Sequence, residues 1–352
     1  MKKLFPTLTR KQVADVVDRK TAAPRVPMIH AKDWGEGLIE QYGDELKRFD
    51  KYPEDADSIM IKPVNAENMN LSWSWNTETA HDSRIVIDDW AKLDEFIEKL
   101  PSPENDPQME AAVAKSVKSR KNDRYLLFGW WRLFFERPWD LRGMENLMVD
   151  YYTEPENVHK LHSALLNHFI KYLDFAAREI NPDGFWTSDD LGHQTSLMMS
   201  PNIFRKFIKP YYQKIGTFLK KKNIHWWLHS CGNNTEIMSD LIETGVTIFH
   251  PVQKGTMNEM KIVKEFGDKL SFLVGFDVQH IIQEADEKGV REEVRYLIDT
   301  FNKPEGGMCL AAGNGIIAGT PIENIEAFLN EAVIYSGTKT CPVKGQNMNS
   351  QS

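Results

Sequence analysis

Apolar and polar positions along this chain fall into two alternating rhythms. Short runs dominated by apolar, β-branched and aromatic residues read as buried strands. They occur at Pro24–His30, Asp57–Val64, Arg124–Trp130, Asp183–Ser188, Ile224–Cys231, Gly245–His250, Leu270–Phe276 and Gly307–Ala312. Between them lie stretches with apolar residues three and four positions apart, the spacing of a helix with one buried face. Thr9 caps the first of these, which runs to about Lys20, and others cover Trp34–Arg48, Asp88–Leu100, Glu104–Arg120, Gly143–Ile180, Ser200–Lys222, Asn234–Thr244, Asn258–Phe266 and Val278–Phe301, with a last helix after Pro321. Ser200-Pro201 places a capping hydroxyl and a first-turn proline where a long helix should begin.

About eight strands, each followed by helical sequence, predict a parallel α/β fold, and the count favours a closed (β/α)8 TIM barrel over an open sheet. No Gly-x-Gly-x-x-Gly turn follows any strand. The expected organisation is a single barrel domain over residues 1–340 with an N-terminal helical extension, and a flexible tail over 341–352. Residues 65–87 show no period and are rich in Trp and Asn, as in a long loop over one face. Trp73, Trp75 and His81 in that loop are candidates for lining a pocket.

Composition narrows the class. The 352 residues are 41% hydrophobic, enough for a sizeable core, and carry a formal net charge of −8, which argues against nucleic acid or an anionic membrane as the main partner. The N-terminal stretch lacks the apolar core of a signal peptide and no run is long enough to cross a bilayer, so a cytoplasmic small-molecule enzyme is expected. Cys231, Cys309 and Cys341 cannot make a full disulfide framework, and a reducing compartment leaves Cys231 free to bind a metal.

In a parallel barrel, chemistry collects at the C-terminal ends of the strands. There the sequence places His30, Asp189 with Asp190, His229 with Cys231, His250, Asp277 and Asn314. Residues i and i+2 of a strand point to the same side, so His229 and Cys231 can grip one ion, and imidazole with thiolate suits tetrahedral Zn²⁺. Asp189, Asp190 and Asp277 are candidate catalytic carboxylates. His30, Trp130, Trp186, His193, Trp227 and Asn314 are candidate substrate contacts, with Trp131, Phe185 and Trp226 adding apolar surface.

The blocks Asp189-Asp190-Leu191-Gly192-His193-Gln194, Ser200-Pro201 with Pro210, His229-Ser230-Cys231-Gly232-Asn233, Gly275-Phe276-Asp277, and Gly313-Asn314-Gly315-Ile316 with Thr320-Pro321-Ile322-Glu323-Asn324 resemble the uroporphyrinogen decarboxylase superfamily. The resemblance runs best from about Leu126 to Ser336 and implies a (β/α)8 barrel, usually dimeric. Tetrapyrrole-decarboxylating members carry an arginine-rich loop after the first strand and a histidine after the last. Here those places read Met28-Ile29-His30-Ala31-Lys32-Asp33-Trp34 and Asn314. The other branch comprises zinc methyltransferases that exchange a methyl group with a corrinoid protein, and its His-x-Cys mark is met by His229 and Cys231.

That second branch implies Zn²⁺, a corrinoid carried by a partner protein, and a small methylated substrate. Its coenzyme M members take a third ligand, cysteine, where this chain has Asn314; Cys309 lies too far down its strand to replace it. His250, at the next strand end, is the expected third ligand by resemblance to zinc methionine synthases, with Asp189, Asp190, Asp277 or Asn314 as alternatives. The missing cysteine favours the first methyltransferase of an O-demethylase system, acting on a methoxylated aromatic. The alternatives are a thiol (coenzyme M-type) or methylamine methyltransferase, a decarboxylase, and a non-catalytic binder of a tetrapyrrole or of the corrinoid protein.

Overall fold

The computed structural model describes residues 5–65, 69, 74–75 and 84–340. Trp73, His81, Cys341 and the tail lie outside the described residues, as does the side chain of Trp75. Backbone contacts divide the chain into two compact units, one of residues 57–258 and one of residues 1–56 with 259–352.

The unit of residues 57–258 is built on parallel strands. These are β1 (Ala56–Met60), β2 (Tyr125–Trp130), β3 (Gly184–Ser188), β4 (His225–His229) and β5 (Ile248–His250). The Ile61 N–H donates to the Gly129 carbonyl at 3.0 Å, beside β1 and β2. From β2 onward the neighbours pair in parallel, with Trp130 opposite Thr187, Ser188 opposite His229 and His229 opposite His250. Three strand ends therefore finish level with one another.

Helices return the chain between strands. Pro107–Lys121, Pro155–Glu179 and Lys209–Lys222 are the long ones, and the sequence punctuates each. Asp106 caps the first through the Gln108 N–H, and Asn223, in the left-handed conformation at φ 56°, ends the third. The helix expected from Gly143 to Ile180 is two helices, Met144–Thr153 and Pro155–Glu179. Pro155 excludes the α conformation at the residue before it, and Glu154 accordingly sits at φ −132°, ψ 43°.

Side chains alternate across this sheet. Trp130, Phe185 and Trp226 face the helices: the Trp130 ring lies 5.2 Å from Phe169 and 4.6 Å from Phe185, and Trp226 lies 5.1 Å from Tyr212. Tyr125, Trp186, Trp227 and His229 take the other face, where Trp227 Nε1 donates to the Tyr125 hydroxyl at 3.1 Å. Gly184 makes room for that indole, since a Cβ there would lie 2.6 Å from Trp227 Nε1.

The unit of residues 1–56 and 259–352 pairs β6 (Ser271–Phe276) with β7 (Met308–Ala312) in parallel. The extended Pro27–His30 segment runs beside β7, with Ile29 donating to the Leu310 carbonyl at 2.9 Å and Leu310 to the Pro27 carbonyl at 2.8 Å. Helices Glu287–Phe301 and Ile322–Thr340 belong to this unit. Cys309 is fully buried in β7 and burial pushes its thiol well up, as for a small core side chain rather than a metal ligand.

Asp55 ties the start of the chain to this unit. Its fully buried carboxylate accepts from Arg25 at 2.6 and 2.8 Å and from the backbone N–H groups of Leu8 and Met28, both at 2.8 Å. Four donors satisfy a charge that would be costly alone, and removing it would strand the Arg25 guanidinium. Asp55→Ala should lower unfolding free energy by about 3–5 kcal/mol in urea titrations. A loss under about 1 kcal/mol would contradict this account of the anchor.

Candidate metal centre

Every member of the site sits at or just beyond the C-terminal ends of β3, β4 and β5. His229 is the last residue of β4 and Cys231 follows two positions later, so both side chains turn to one side. Their ligand atoms lie 3.4 Å apart, Cys231 Sγ from His229 Nε2. Asp190, two residues past β3, brings Oδ1 to 3.6 Å from the same nitrogen, and the three ligand atoms all fall within 4.8 Å of one another.

The loops are locked by backbone contacts. The Cys231 N–H donates to Asp190 Oδ1 at 2.8 Å, and the Gly232 N–H to Gln253 Oε1 at 2.9 Å. Ser230 Oγ accepts from the Leu191 N–H at 3.0 Å and donates to Asn234. Gly192 and Gly232 pack backbone to backbone; a Cβ on Gly232, which holds φ 78°, would lie 2.4 Å from the Gly192 carbonyl. The Asp190 loop can reach the thiol because both residues at that crossing lack a side chain.

One sulfur, one nitrogen and one oxygen form the donor set that Zn²⁺ accepts with a fourth position left open. A tetrahedral ion with bonds of about 2.3 Å to sulfur and about 2.0–2.2 Å to nitrogen and oxygen separates its ligand atoms by roughly 3.3–3.6 Å. The separations measured from His229 Nε2, 3.4 and 3.6 Å, match that spacing. His229 is thus spaced from both partners as such an ion requires, and the third separation, Cys231 to Asp190, is within 4.8 Å.

His250 takes a different place from the one expected of a ligand. Its Nδ1 lies 2.7 Å from His229 Nδ1, so it engages the ring nitrogen opposite to the one facing Cys231 and Asp190. One imidazole must donate and the other accept across that contact. With His229 Nε2 turned to a metal, its Nδ1–H donates to His250, which fixes the ring's orientation.

Asp189 and Asp190 part ways. Adjacent residues beyond a strand point to opposite sides, and Asp189 is fully buried, accepting the backbone N–H groups of Phe134, Phe135 and Glu136 at 2.7–3.0 Å and the Tyr212 hydroxyl at 2.9 Å. It anchors the loop after β2. That loop lays Trp131 edge-on to the His229 ring at 5.6 Å and to Trp186 at 6.1 Å. Arg132, at φ 72°, donates its N–H to Ser188 Oγ at 2.9 Å, and Ser188 in turn donates to Glu136 Oε2 at 2.7 Å. Burial, reinforced by the Asp189 and Asp190 charges, pushes the Glu136 carboxyl well above the usual carboxylate range.

Of the expected substrate contacts, Trp186 faces the cluster, its ring 6.2 Å from His229 and 5.6 Å from His250. Trp227 is on the same face but deeper, against Tyr125. Trp130 does not line the site: strand parity turns it to the helices, and Trp131 takes the place it was expected to fill. His193 is exposed, its carbonyl accepting from the Asn233 N–H at 2.8 Å. His30, Asp277 and Asn314 belong to the other unit. There the His30 N–H donates to Glu54 at 2.6 Å and Asp277 caps the Gln279 and His280 N–H groups at 2.9 and 3.0 Å. Glu136, Arg132, Ser188 and Gln253 are near the cluster without having been singled out; the Glu136 segment has no period that would have placed it there.

The family model for uroporphyrinogen decarboxylase (URO-D) matches residues 87–334. A comparison with curated proteins finds no match. Among solved structures, a methyltransferase from Methanosarcina mazei is similar at a TM-score of 0.66 and 16% identity, over 93% of this chain and 98% of that one. A chitinase from Chromobacterium violaceum (TM-score 0.38, 9% identity, 87% and 98% covered) and a β-1,4-D-mannanase from Cryptopygus antarcticus (0.39, 9%, 87% and 90%) are more distant. The fold class is thereby the α/β barrel of parallel strands that the strand and helix alternation predicts. Among the described residues, no helix is long and apolar enough to cross a membrane.

If the cluster is a metal centre, Cys231→Ser should lose most bound zinc and Asp190→Asn should bind it at least about tenfold more weakly, both with unchanged far-UV circular dichroism. Equilibrium dialysis with metal analysis checks this. Undiminished zinc affinity in Cys231→Ser would remove the thiolate from the set.

Proposed function

The chain belongs to the uroporphyrinogen decarboxylase family, and on that premise we propose that it is a zinc-dependent methyltransferase that moves a methyl group from a methoxylated aromatic to the cobalt of a corrinoid on a partner protein. The observation that carries this reading is the convergence of Cys231 Sγ, His229 Nε2 and Asp190 Oδ1 beside exposed aromatic surface. The fold likeness to a methyltransferase agrees with it.

When bound, Zn²⁺ supplies Lewis acidity that lowers the basicity of the ether oxygen as the methyl group leaves. The chain's own residues do the rest. His250 holds the His229 ring so that Nε2 stays on the side of Cys231 and Asp190. Asp190 also receives the Cys231 N–H, which keeps the thiol loop from swinging away. Trp131, 49% exposed, and Trp186 offer edge and face to an aromatic ring. Asp189 keeps Trp131 in place through three backbone N–H groups.

A neutral or singly charged ring suits this face better than a polyanionic porphyrinogen. The Met28–Trp34 segment lacks the arginines that a multiply carboxylated substrate would require. Balanced, the transfer breaks the methyl–oxygen bond, moves the methyl group to cobalt(I) and releases a phenolate.

The chain alone should leave a methoxylated aromatic unchanged. With a reduced corrinoid protein it should release the corresponding phenol while methylcobalt absorbance rises in equal amount, and chelation of zinc should stop both. Absence of methyl transfer from a panel of ethers, amines and thiols, with carbon dioxide released from uroporphyrinogen instead, would overturn the reading.

A further inference from the structure

Cys231 stands at the start of a turn that its own backbone would leave loose. Gly232 follows it at φ 78°, and glycine gives up more conformational freedom on being ordered than any other residue. A thiolate on a free turn meets an ion only after the turn has been ordered, which costs affinity. Two side-chain amides hold the turn instead.

Asn234 is fully buried, and its Nδ2 donates to the carbonyls of Ser230 at 3.1 Å, Cys231 at 3.0 Å and Gly232 at 3.2 Å. Two hydrogens serve three acceptors, so one N–H is shared between two carbonyls. The amide cannot be turned round, because its oxygen would then face three carbonyl oxygens. That oxygen instead accepts from Ser230 Oγ at 3.1 Å, and the same hydroxyl accepts the Leu191 N–H at 3.0 Å. Leu191 adjoins Asp190. One amide is therefore tied to the backbone beside two of the three donor residues.

Gln253 completes the frame from the loop after β5. Its Oε1 accepts the Gly232 N–H at 2.9 Å, while the Cys231 N–H goes to Asp190 Oδ1 at 2.8 Å and the Ser230 N–H to the His250 carbonyl at 2.8 Å. Every backbone N–H and carbonyl from Ser230 to Gly232 thus has a partner. A set so fully paired holds its shape through groups that lie outside the cluster.

We infer that Asn234 and Gln253 are positioning residues for the metal: they fix Cys231 Sγ beside His229 Nε2 before an ion arrives, so that affinity for the ion depends on two amides outside its ligand set. This rests on the reading of Asp190, His229 and Cys231 as a metal centre, and it is tested by metal binding alone, apart from methyl transfer.

Cobalt(II) serves as the probe, since a sulfur-to-cobalt charge-transfer band, absent from Cys231→Ser, reports the bound thiolate. In titrations of the full metal-free chain, Gln253→Leu should bind cobalt at least about tenfold more weakly than the wild type, with unchanged far-UV circular dichroism. Gln253→Glu, which keeps an acceptor for the Gly232 N–H, should restore wild-type affinity. Asn234→Asp has the same size but sets an oxygen against the three carbonyls; it should weaken binding and diminish the band at saturation. Wild-type affinity in Gln253→Leu or in Asn234→Asp, or a loss in Gln253→Glu equal to that in Gln253→Leu, overturns the inference and leaves the metal centre standing. A wild-type chain without the band overturns the metal centre and this inference with it. Should Asn234→Asp fail to fold, the two Gln253 variants decide.

Discussion

One buried carboxylate organises the face on which the cluster stands. Asp189 accepts three consecutive backbone N–H groups, from Phe134 to Glu136, and the Tyr212 hydroxyl. Burial pushes this carboxyl up, to about 6, against the pull of those donors. A charge so enclosed persists only while every partner is in place, so the loop after β2 has little freedom to move. Trp131, Arg132 and Glu136 all hang from that loop. Replacing Asp189 would thus disturb the aromatic edge on His229, the Arg132 backbone contact to Ser188 and the Glu136 carboxyl together.

The neighbouring Asp190 illustrates how one step along the chain changes a residue's work. It points away from the anchored loop, is partly exposed, and meets His229 and the Cys231 N–H. The two acids were legible in the sequence as a pair at a strand end, and their division of labour was not. It depends on which side of β3 each faces, and β3 is buried on both sides. In a parallel sheet buried on both faces, the period of two that would reveal parity is absent. Trp130 was misplaced for the same reason, since every residue of Tyr125–Trp130 is buried.

Element order was readable because prolines, capping residues and left-handed positions punctuate the chain, as Ser200-Pro201 and Asn223 do. The split at Pro155 was also written in the residues, though the apolar spacing on both sides of it masked the break. His229 and Cys231 were readable because their geometry is local. Which further group stands beside them was not: His250 is level with His229 across the sheet and Asp190 lies two residues beyond Ser188, the partner of His229 on the other side, and the loop crossing at Gly192 and Gly232 brings Asp190 to the thiol. That crossing joins segments about forty residues apart, beyond the reach of any spacing rule. His250 instead occupies the far nitrogen of His229, where it orients the ring.

X-ray absorption at the zinc edge reads directly whether a metal is held here by mixed sulfur, nitrogen and oxygen donors. The expected spectrum shows one zinc per chain with a single sulfur at about 2.3 Å, one imidazole nitrogen and oxygen neighbours at about 2.0–2.2 Å. A spectrum with no sulfur scatterer, with two imidazoles showing His250 in the shell, or from a chain that takes up no zinc at all would contradict it.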